Sequence, residues 1–336
     1  MQVFCLVFFV ILESMNIIYD LIIIGGGPAG SAAAVYASRK RLNTLFITSE
    51  WGGQSIVSEQ IYNWIGSPSI SGADLAENFK KHVLANAGKG QTLEVKEGER
   101  VSSIVSGVGH LKSECPTPET FSVKTESGEE FLTKTILIAT GSGRRKLEAK
   151  NADKLEHKGL TYCATCDGPI FSGMDVVVVG GGNAAFESAA QLSAYCKKVT
   201  ILHRSDIFRA DEITIEKVLK KENVKAIKNV EILEIKGEKF VEGVIYNNKI
   251  TNTETELKVS GIFVEIGQIP NTNFIKDIVT LDEAGRVKIN PLNQKTETSG
   301  IWAAGDCTNI LYHQNNIAAG DAVKAIEDIY LYIHTR

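Results

Sequence analysis

The stretch Tyr19–Gly30, YDLIIIGGGPAG, decides the fold of this chain. Its apolar run, Leu21 to Ile24, ends in glycines and is followed by an alanine-rich stretch of helical character. A second apolar run, Thr44 to Thr48, closes with Glu50. Strand, glycine turn, helix and strand in this order predict a βαβ unit, and the unbroken first run predicts a strand buried in a parallel sheet.

The glycines of this turn have the spacing Gly25-x-Gly27-x-x-Gly30, which is typical of dinucleotide-binding proteins. The first glycine permits the tight turn, the second lets a pyrophosphate approach the backbone, and the third brings helix and strand together. The helix N-terminus then presents free N–H groups to the phosphates. Glu50 stands 20 residues after Gly30, where an acid can accept hydrogen bonds from ribose hydroxyls.

The same order of elements recurs in residues 174–209, MDVVVVGGGNAAFESAAQLSAYCKKVTILHRSDIFR. This repeat carries Gly180-x-Gly182-x-x-Ala185, the variant of the pattern with alanine in third place. Turn-rich alternating segments, which predict strands, lie between and after the two units. Two βαβ units predict two dinucleotide-binding domains.

The second unit differs from the first in the residues that follow its second strand. That strand ends in His203 and Arg204, and Arg209 follows, instead of an acid. An acid there would repel a 2′-phosphate, whereas arginines attract it. We therefore expect NADP rather than NAD at this unit. The alternative is that Arg204 and Arg209 belong to a solvated charged surface.

The bulk composition agrees with two ordinary domains. A chain of 336 residues is long for one hydrophobic core. Its net charge of −4 gives no electrostatic reason to expect nucleic acid or an anionic membrane as partner. Six cysteines are too few for a disulfide-stabilised secreted scaffold. The cytosol is therefore the expected compartment.

The N-terminal segment, residues 1–14, needs a separate interpretation. Its apolar run, Val3 to Leu12, is too short to span a bilayer as a helix and lacks the basic flank and cleavage site of a signal peptide. We interpret it as a non-native or disordered extension before Met15. An export signal and a packed N-terminal strand are the alternatives.

Cys163 and Cys166 form the only close cysteine pair of the sequence, and Asp167 follows at once. Such a pair can be a redox disulfide, half of a zinc site, or two unreactive cysteines. The local sequence leaves all three open. A zinc site would need further ligands, but the sequence has no second Cys-x-x-Cys and no histidine pair at zinc spacing, so no metal is expected.

From Met15 to Ile333 the chain resembles the low-molecular-weight thioredoxin reductases, a class of pyridine nucleotide-disulfide oxidoreductases. The motifs that carry the resemblance follow one another in order: GGGPAG, GGQ, YNW, ATG, CATCD, GGGNAA, HRSDIFR, GQIPNT and GIWAAGD. The resemblance implies an α/β fold of two Rossmann-like three-layer domains. The NADP-binding domain, residues 146–267, would be inserted into a discontinuous FAD-binding domain, residues 15–145 and 268–336.

The resemblance also implies a chemistry for the cysteine pair. Electrons would pass from NADPH to FAD, to a Cys163–Cys166 disulfide, and on to thioredoxin or a similar dithiol protein. Cys166 would exchange electrons with the flavin, and Cys163 would attack the external disulfide. Asp167 would move a proton to or from a thiol; a turn or helix-capping acid is its alternative role. A homodimer is implied as well.

Cofactor-binding residues are carried over by matching motifs. Those expected for FAD are Gly25, Gly27, Pro28, Ala29, Gly30, Glu50, Gly53, Gln54, Asn63, Ala139, Thr140, Gly141, Asp306, His313 and Gln314. Those expected for NADP are Gly180, Gly182, Asn183, Ala185, His203, Arg204 and Arg209. Two positions depart from the family. His313 stands where arginine or lysine is common, and Ser205 replaces the second arginine of the usual His-Arg-Arg motif.

Other destinations for the electrons remain open at this point. They are a small-molecule disulfide, oxygen, and a peroxiredoxin system, whose flavoprotein usually carries an additional N-terminal domain that is absent from this sequence. A flavin-bound redox sensor without turnover is the alternative from a different class.

Overall fold

The structure, a computed structural model, describes residues 17–107 and 120–335. It has the predicted α/β fold, with parallel-stranded sheets in two compact units. Within the described residues the first unit comprises 17–56, 70–107, 120–143 and 270–335, and the second comprises 57–69 and 144–269. The predicted extension, residues 1–14, lies outside the described residues.

The strands in chain order are β1 (Ile18–Gly26), β2 (Thr44–Trp51), β3 (Leu93–Glu97), β4 (Val101–Ser106), β5 (Phe121–Thr125), β6 (Glu130–Ile138), β7 (Ser142–Arg144), β8 (Leu160–Thr161), β9 (Asp175–Gly180), β10 (Lys198–Leu202), β11 (Val224–Ile227), β12 (Val230–Lys236), β13 (Gly243–Asn248), β14 (Thr253–Lys258), β15 (Gly261–Glu265), β16 (Gln268–Pro270) and β17 (Ile301–Ala303). The α-helices are α1 (Pro28–Arg39), α2 (Gly72–Leu84), α3 (Ala152–Leu155), α4 (Ala164–Asp167), α5 (Asn183–Leu192), α6 (Glu212–Leu219) and α7 (Asn315–Thr335). Short 3₁₀ helices cover Gly53–Val57, Gly168–Phe171 and Asn273–Ile275.

The first unit is built on a seven-stranded sheet of order β3-β2-β1-β6-β5-β4, with β17 also paired to β6. β1 lies between β2 and β6 and is parallel to both, while β4, β5 and β6 are antiparallel neighbours. Burial of Leu21 to Ile24 on both faces explains their unbroken apolar run. Small alanines on α1 pack in one core cluster with alanines and isoleucines of α7.

The second unit contains a five-stranded, wholly parallel sheet of order β11-β10-β9-β15-β8. Helix α5 covers one face, where its Phe186 lies in one cluster with Val178 and Phe263. A separate antiparallel sheet, β12-β13-β14, accounts for the alternating pattern of residues 230–258. Its Val230, Ile235 and Val244 share a cluster with the other face of the parallel sheet.

The chain passes between the units at residues 56/57, 69/70, 143/144 and 269/270. At the last two points β7 and β16 pair with each other. The sequence analysis placed the last two boundaries at 145/146 and 267/268. It did not anticipate that residues 57–69 group with the second unit. Assignment of FAD to one unit and NADP to the other stays a prediction. Among the described residues, none of the helices has the length and apolar character needed to cross a membrane.

Candidate active site

The first glycine turn is shaped by backbone atoms that leave no room for side chains. Gly25 has a φ of +118°, and a Cβ there would overlap the carbonyl oxygen of Ala139. A Cβ on Gly30 would overlap the carbonyl oxygen of Gly25. Glycine at these positions therefore lets α1 begin directly on the edge of β1.

The space above this turn fits a phosphate group. A Cβ on Gly27 would meet only the Cα of Gly53, at 3.9 Å, and one on Gly141 would meet nothing within 4 Å. Helix α1 opens without an acid in its first turn and with no side-chain cap on its N-terminus. Open space and uncapped helix N–H groups are what a pyrophosphate needs.

Several predicted FAD residues of the first unit lie together. Gln54 Nε2 donates to Ser142 Oγ at 3.1 Å and to Asp306 Oδ2 at 3.5 Å. His313 Nδ1 lies 3.3 Å from Asp306 Oδ1, which is ion-pair distance without hydrogen-bond geometry. Glu50 is exposed next to Trp51, which pairs with Gly26 of the turn.

Five further predicted FAD residues are Ala139 to Gly141, Gln314 and Asn63. Ala139 to Gly141 follow the carboxyl end of β6, and the Ala139 N–H donates to the Ile24 carbonyl at 2.9 Å. The Gln314 carbonyl accepts from Ala318 N–H at 2.9 Å, at the start of α7. Asn63 lies in the segment 57–69, so it groups with the second unit and not with the other predicted FAD residues.

The second glycine turn resembles the first, except that Ala185 takes the place of the third glycine. Gly180 has a φ of +155°, and a Cβ there would overlap the carbonyl oxygen of Glu265 and lie 2.9 Å from the Ala185 Cβ. A Cβ on Gly181 would overlap the His203 ring, whereas one on Gly182 would meet nothing within 4 Å. Helix α5 also opens without an acid in its first turn. This turn therefore also has room for a phosphate.

The loop after β10 folds back onto this turn. The Arg209 N–H donates to the Gly181 carbonyl at 2.7 Å, and Arg204 and Arg209 are both exposed. His203 is buried, and its Nε2 lies 2.9 Å from both Ser205 Oγ and the Ile207 carbonyl. Because a carbonyl can only accept, the tautomer that satisfies both contacts carries its hydrogen on Nε2. Ser205 then accepts and keeps its own proton for another partner.

Asn183 connects the start of α5 to the residues that follow this loop. Its Nδ2 donates to Asp211 Oδ2 at 3.1 Å, and its Oδ1 accepts from the Asp211 N–H at 2.8 Å. Hydrogen bonds therefore connect the glycine turn, the loop after β10 and the start of α6 within the second unit.

Cys163 and Cys166 are joined by a disulfide, with Cα atoms 5.3 Å apart. Cys163 caps the one-turn helix α4, and its Sγ accepts from the Cys166 N–H at 3.2 Å. Both cysteines are half-buried. Thr165, which lies between them, donates to Gln191 Oε1 of α5 at 3.0 Å, so a hydrogen bond joins the disulfide turn to this helix.

Asp167 is held beside the disulfide by two contacts. Thr161 Oγ1 donates to its carboxylate, and its own N–H donates to the Cys163 carbonyl at 3.1 Å. Burial raises the pKa of the Asp167 carboxyl, against the opposing effects of the Thr161 hydrogen bond and of His157 and Arg144. Its side chain makes no capping bond to the 3₁₀ helix that follows.

Glu265 is a half-buried acid that the sequence interpretation missed. Ser188 Oγ of α5 donates to its Oε1 at 2.7 Å. Burial raises the pKa of Glu265 to about 7, which the Ser188 hydrogen bond and Arg144 oppose and Glu187 reinforces. The sequence feature that could have revealed it is the acid at the end of the apolar run GIFVE. Ligands bind at the carboxyl ends of parallel strands, so an acid there is a candidate site residue.

Arg144 is the second residue that the sequence interpretation missed. Its Nη1 donates to the carbonyl of Tyr162, the residue before Cys163, and its guanidinium lies 5.8 Å from the Tyr162 ring centroid. Its positive charge opposes the burial that raises the pKa of both Asp167 and Glu265. One cation therefore acts on the disulfide turn and on the end of β15.

The carboxyl ends of four neighbouring parallel strands bring these groups to one edge of the sheet. In order across β10, β9, β15 and β8, they are the arginine loop, the glycine turn, Glu265 and the cysteine turn. The same edge therefore presents a glycine turn with room for a phosphate and the Cys163–Cys166 disulfide.

The sequence profile of the pyridine nucleotide-disulphide oxidoreductases matches residues 19–324. The chain belongs to this family. Membership implies a flavin and a nicotinamide cofactor, which the two glycine turns fit.

Individual relatives of this oxidoreductase family support the same fold. The crystal structure of thioredoxin reductase from Streptococcus pyogenes matches with a TM-score of 0.84 at 32% identity, covering 96% of this chain and 100% of that one. An alkyl hydroperoxide reductase protein of Escherichia coli is 33% identical over 318 residues, which is 94% of this chain and 58% of that protein. An NADH dehydrogenase of Bacillus subtilis is 31% identical over 315 residues, with the same 94% and 58% coverage. The chain therefore spans 58% of the length of these two curated relatives.

The described residues include no group of three or more histidines, cysteines and acids that could hold a metal ion.

Two glycine substitutions distinguish the packing of the second turn from the open space that it offers to a ligand. Gly181→Ala should lower the melting temperature, because its methyl group overlaps the buried His203 ring and overpacking costs about 1–3 kcal/mol. Gly182→Ala should melt like the unmodified protein but bind a nicotinamide dinucleotide roughly tenfold more weakly, because its methyl group occupies the space predicted for the phosphates. Thermal melts and titration calorimetry measure the two effects. Equal melting losses in both variants would contradict this description of the turn.

Glu265 should make stability depend on pH. The pKa of this carboxyl rises from 4.5 in the unfolded chain to about 7 in the folded protein, so the folded state favours the protonated form. The contribution of Glu265 to the free energy of unfolding is therefore complete below pH 4.5 and is lost as the pH rises through 7. A shift of that size corresponds to at most about 3 kcal/mol. Relative to the unmodified protein, Glu265→Gln should therefore gain stability between pH 5 and pH 8, measured by thermal melts. Parallel pH profiles for the two proteins would contradict it.

Proposed function

We propose that this protein is an NADPH-dependent flavoprotein disulfide reductase. Electrons would pass from NADPH through bound FAD to the Cys163–Cys166 disulfide, and then to thioredoxin or a similar dithiol protein. The observation that carries the proposal is the disulfide at the same sheet edge as a nucleotide turn, both fastened to α5. The 32% identity to a solved thioredoxin reductase over its full length supports it.

FAD, when bound, would supply the chemistry that passes two electrons from a hydride donor to a disulfide. The first glycine turn would hold its pyrophosphate, and Glu50 its ribose. Gln54 and Asp306, hydrogen-bonded to each other, would contact its remaining polar groups. The second turn would hold the NADPH pyrophosphate, and Arg204 and Arg209 the 2′-phosphate.

The cysteines of the reduced form would carry out thiol–disulfide exchange. The Cys163 thiolate attacks the partner's disulfide, which forms a mixed disulfide and expels one partner thiolate. Cys166 then attacks Cys163, so the Cys163–Cys166 disulfide forms again and the partner leaves as a dithiol. Asp167, held beside Cys163 with a raised pKa, takes and returns the thiol proton during these steps.

A peroxiredoxin system is the second candidate destination. It is favoured by the 33% identity to the alkyl hydroperoxide reductase protein over 94% of this chain. We also propose that the protein works in the cytoplasm as a homodimer, as the family resemblance implies.

The function is tested by NADPH oxidation with and without a thioredoxin. The unmodified protein should reduce thioredoxin, and Cys163→Ser should lose that activity because it has no attacking thiol. The variant should keep NADPH oxidation with ferricyanide, which does not need the disulfide. Cys196→Ala, which changes a free buried cysteine, is the matched control and should retain both activities. Thioredoxin reduction by Cys163→Ser would refute the role of the disulfide.

Asp167→Asn should slow dithiol exchange by about 10²–10⁴-fold, because the amide cannot accept the thiol proton. Reduction of the flavin by NADPH should change much less. Stopped-flow absorbance separates the two half-reactions, and Thr165→Ala, which alters the same turn without removing an acid, is the control. Equal slowing of both half-reactions would indicate a purely structural role.

Ser205 should weaken the preference for NADPH without reversing it. A charged hydrogen bond contributes about 1.5–3 kcal/mol and a neutral one about 0.5–1.5, so replacing the usual arginine by serine costs about tenfold in discrimination. We expect NADPH to be favoured by kcat/KM, with measurable NADH activity, and Ser205→Arg to increase the ratio. A kcat/KM for NADH equal to or above that for NADPH would show that Arg204 and Arg209 do not face the phosphate.

A further inference from the structure

Glu265 ends β15 between the glycine turn of β9 and the cysteine turn that follows β8. Its backbone pairs with Gly180, the first glycine of the turn. Phe263, two residues earlier on the strand, lies in the core cluster beneath α5. Because side chains alternate along a strand, Glu265 faces the same helix, and the hydrogen bond from Ser188 confirms this direction.

The position of Glu265 decides which half of a dinucleotide it meets. Dinucleotides bind outside the carboxyl ends of parallel strands, across the point where strand order reverses. Here the order reverses between β9 and β15. The arginine loop follows β10 and therefore takes the adenosine half. The nicotinamide half then lies on the opposite side of the glycine turn, at the end of β15.

Few charged groups act on the Glu265 carboxyl, so a charge bound next to it would change its ionisation. The charged groups that act on it are Arg144, from the chain entering the unit, and Glu187 on α5. Ser188 supplies a neutral hydrogen bond to one carboxylate oxygen. Burial raises the pKa of Glu265 to about 7, so the carboxyl changes charge within the working range of most enzymes.

We propose that Glu265 is a specificity residue for the nicotinamide ring, which its carboxylate binds more tightly in the oxidised, positively charged form than in the reduced, neutral form. The proposal rests on the proposed function, since it takes the second glycine turn to be an NADP site. Loss of a hydride makes the ring positive, so an ionised Glu265 favours hydride donation by NADPH. Protonation of Glu265 removes this preference.

The experiment compares the binding of two ligands to the FAD-loaded protein by titration calorimetry at pH 6.0 and pH 8.5. The ligands are NADP⁺ and tetrahydro-NADP, whose neutral ring cannot donate a hydride. Both carry the 2′-phosphate, so its own titration cancels in the ratio of their dissociation constants. We expect the preference for NADP⁺ to increase about tenfold between the two pH values in the unmodified protein. In Glu265→Gln the ratio should not change with pH.

Two further variants keep the test informative if Glu265→Gln folds poorly. Ser188→Ala removes the hydrogen bond that lowers the Glu265 pKa, so the pH midpoint of the ratio should rise. Glu187→Gln removes a repelling charge, so the midpoint should fall while the pH dependence remains. A constant ratio in the unmodified protein, or a pH-dependent ratio in Glu265→Gln, would overturn the proposal.

Failure of the inference can be told apart from failure of the proposed function. If both ligands bind and thioredoxin is reduced but the ratio is constant, only the role of Glu265 is wrong. If neither ligand binds, the proposed function and the inference are both overturned.

Discussion

The close approach of one backbone to another at the two glycine turns is the constraint on which the rest of the structure depends. In the first turn the Gly25 carbonyl oxygen occupies the place where residue 30 would carry its Cβ. In the second, the turn glycine faces a methyl group at Ala185 and the carbonyl of Glu265. These approaches let each helix start at the very edge of its sheet. The predicted chemistry is arranged around that edge, because strand ends, helix N–H groups and open space are combined there.

The second unit uses this edge for more than nucleotide recognition. Its parallel sheet places the arginine loop, the glycine turn, Glu265 and the cysteine turn on successive strands. Helix α5 then ties them together, because Ser188 holds the acid and Gln191 holds the cysteine turn. Ser188 and Gln191 are three residues apart and thus share one helical face. A displacement of α5 would therefore move the glycine turn, Glu265 and the disulfide together.

The sequence predicted those parts of the structure that depend on local pattern. The apolar runs from Leu21 and Thr44 became β1 and β2. The disulfide of the cysteine pair followed only from the family resemblance, because the local sequence left its role open. The Arg144 and Glu265 network was missed, because these residues lie more than 100 positions apart and meet only through strand order. The bond between Ser205 and the buried His203 was also missed, since it depends on the fold of the loop. Pattern reveals which groups a chain has, whereas packing decides their charge and partners.

The packing of α1 against α7 has a consequence for how the protein is made. Ala33, Ala34 and Ala37 of α1 are buried in one cluster with Ala322 and Ile326 of α7. Strand β17 likewise joins the first sheet from residues 301–303. On the ribosome, all residues of the second unit have been synthesised before these pieces emerge, and domains generally fold as units during synthesis. The inserted unit can therefore fold while the surrounding one is still incomplete, and the first glycine turn, although made early, gains its full support only near the end of translation.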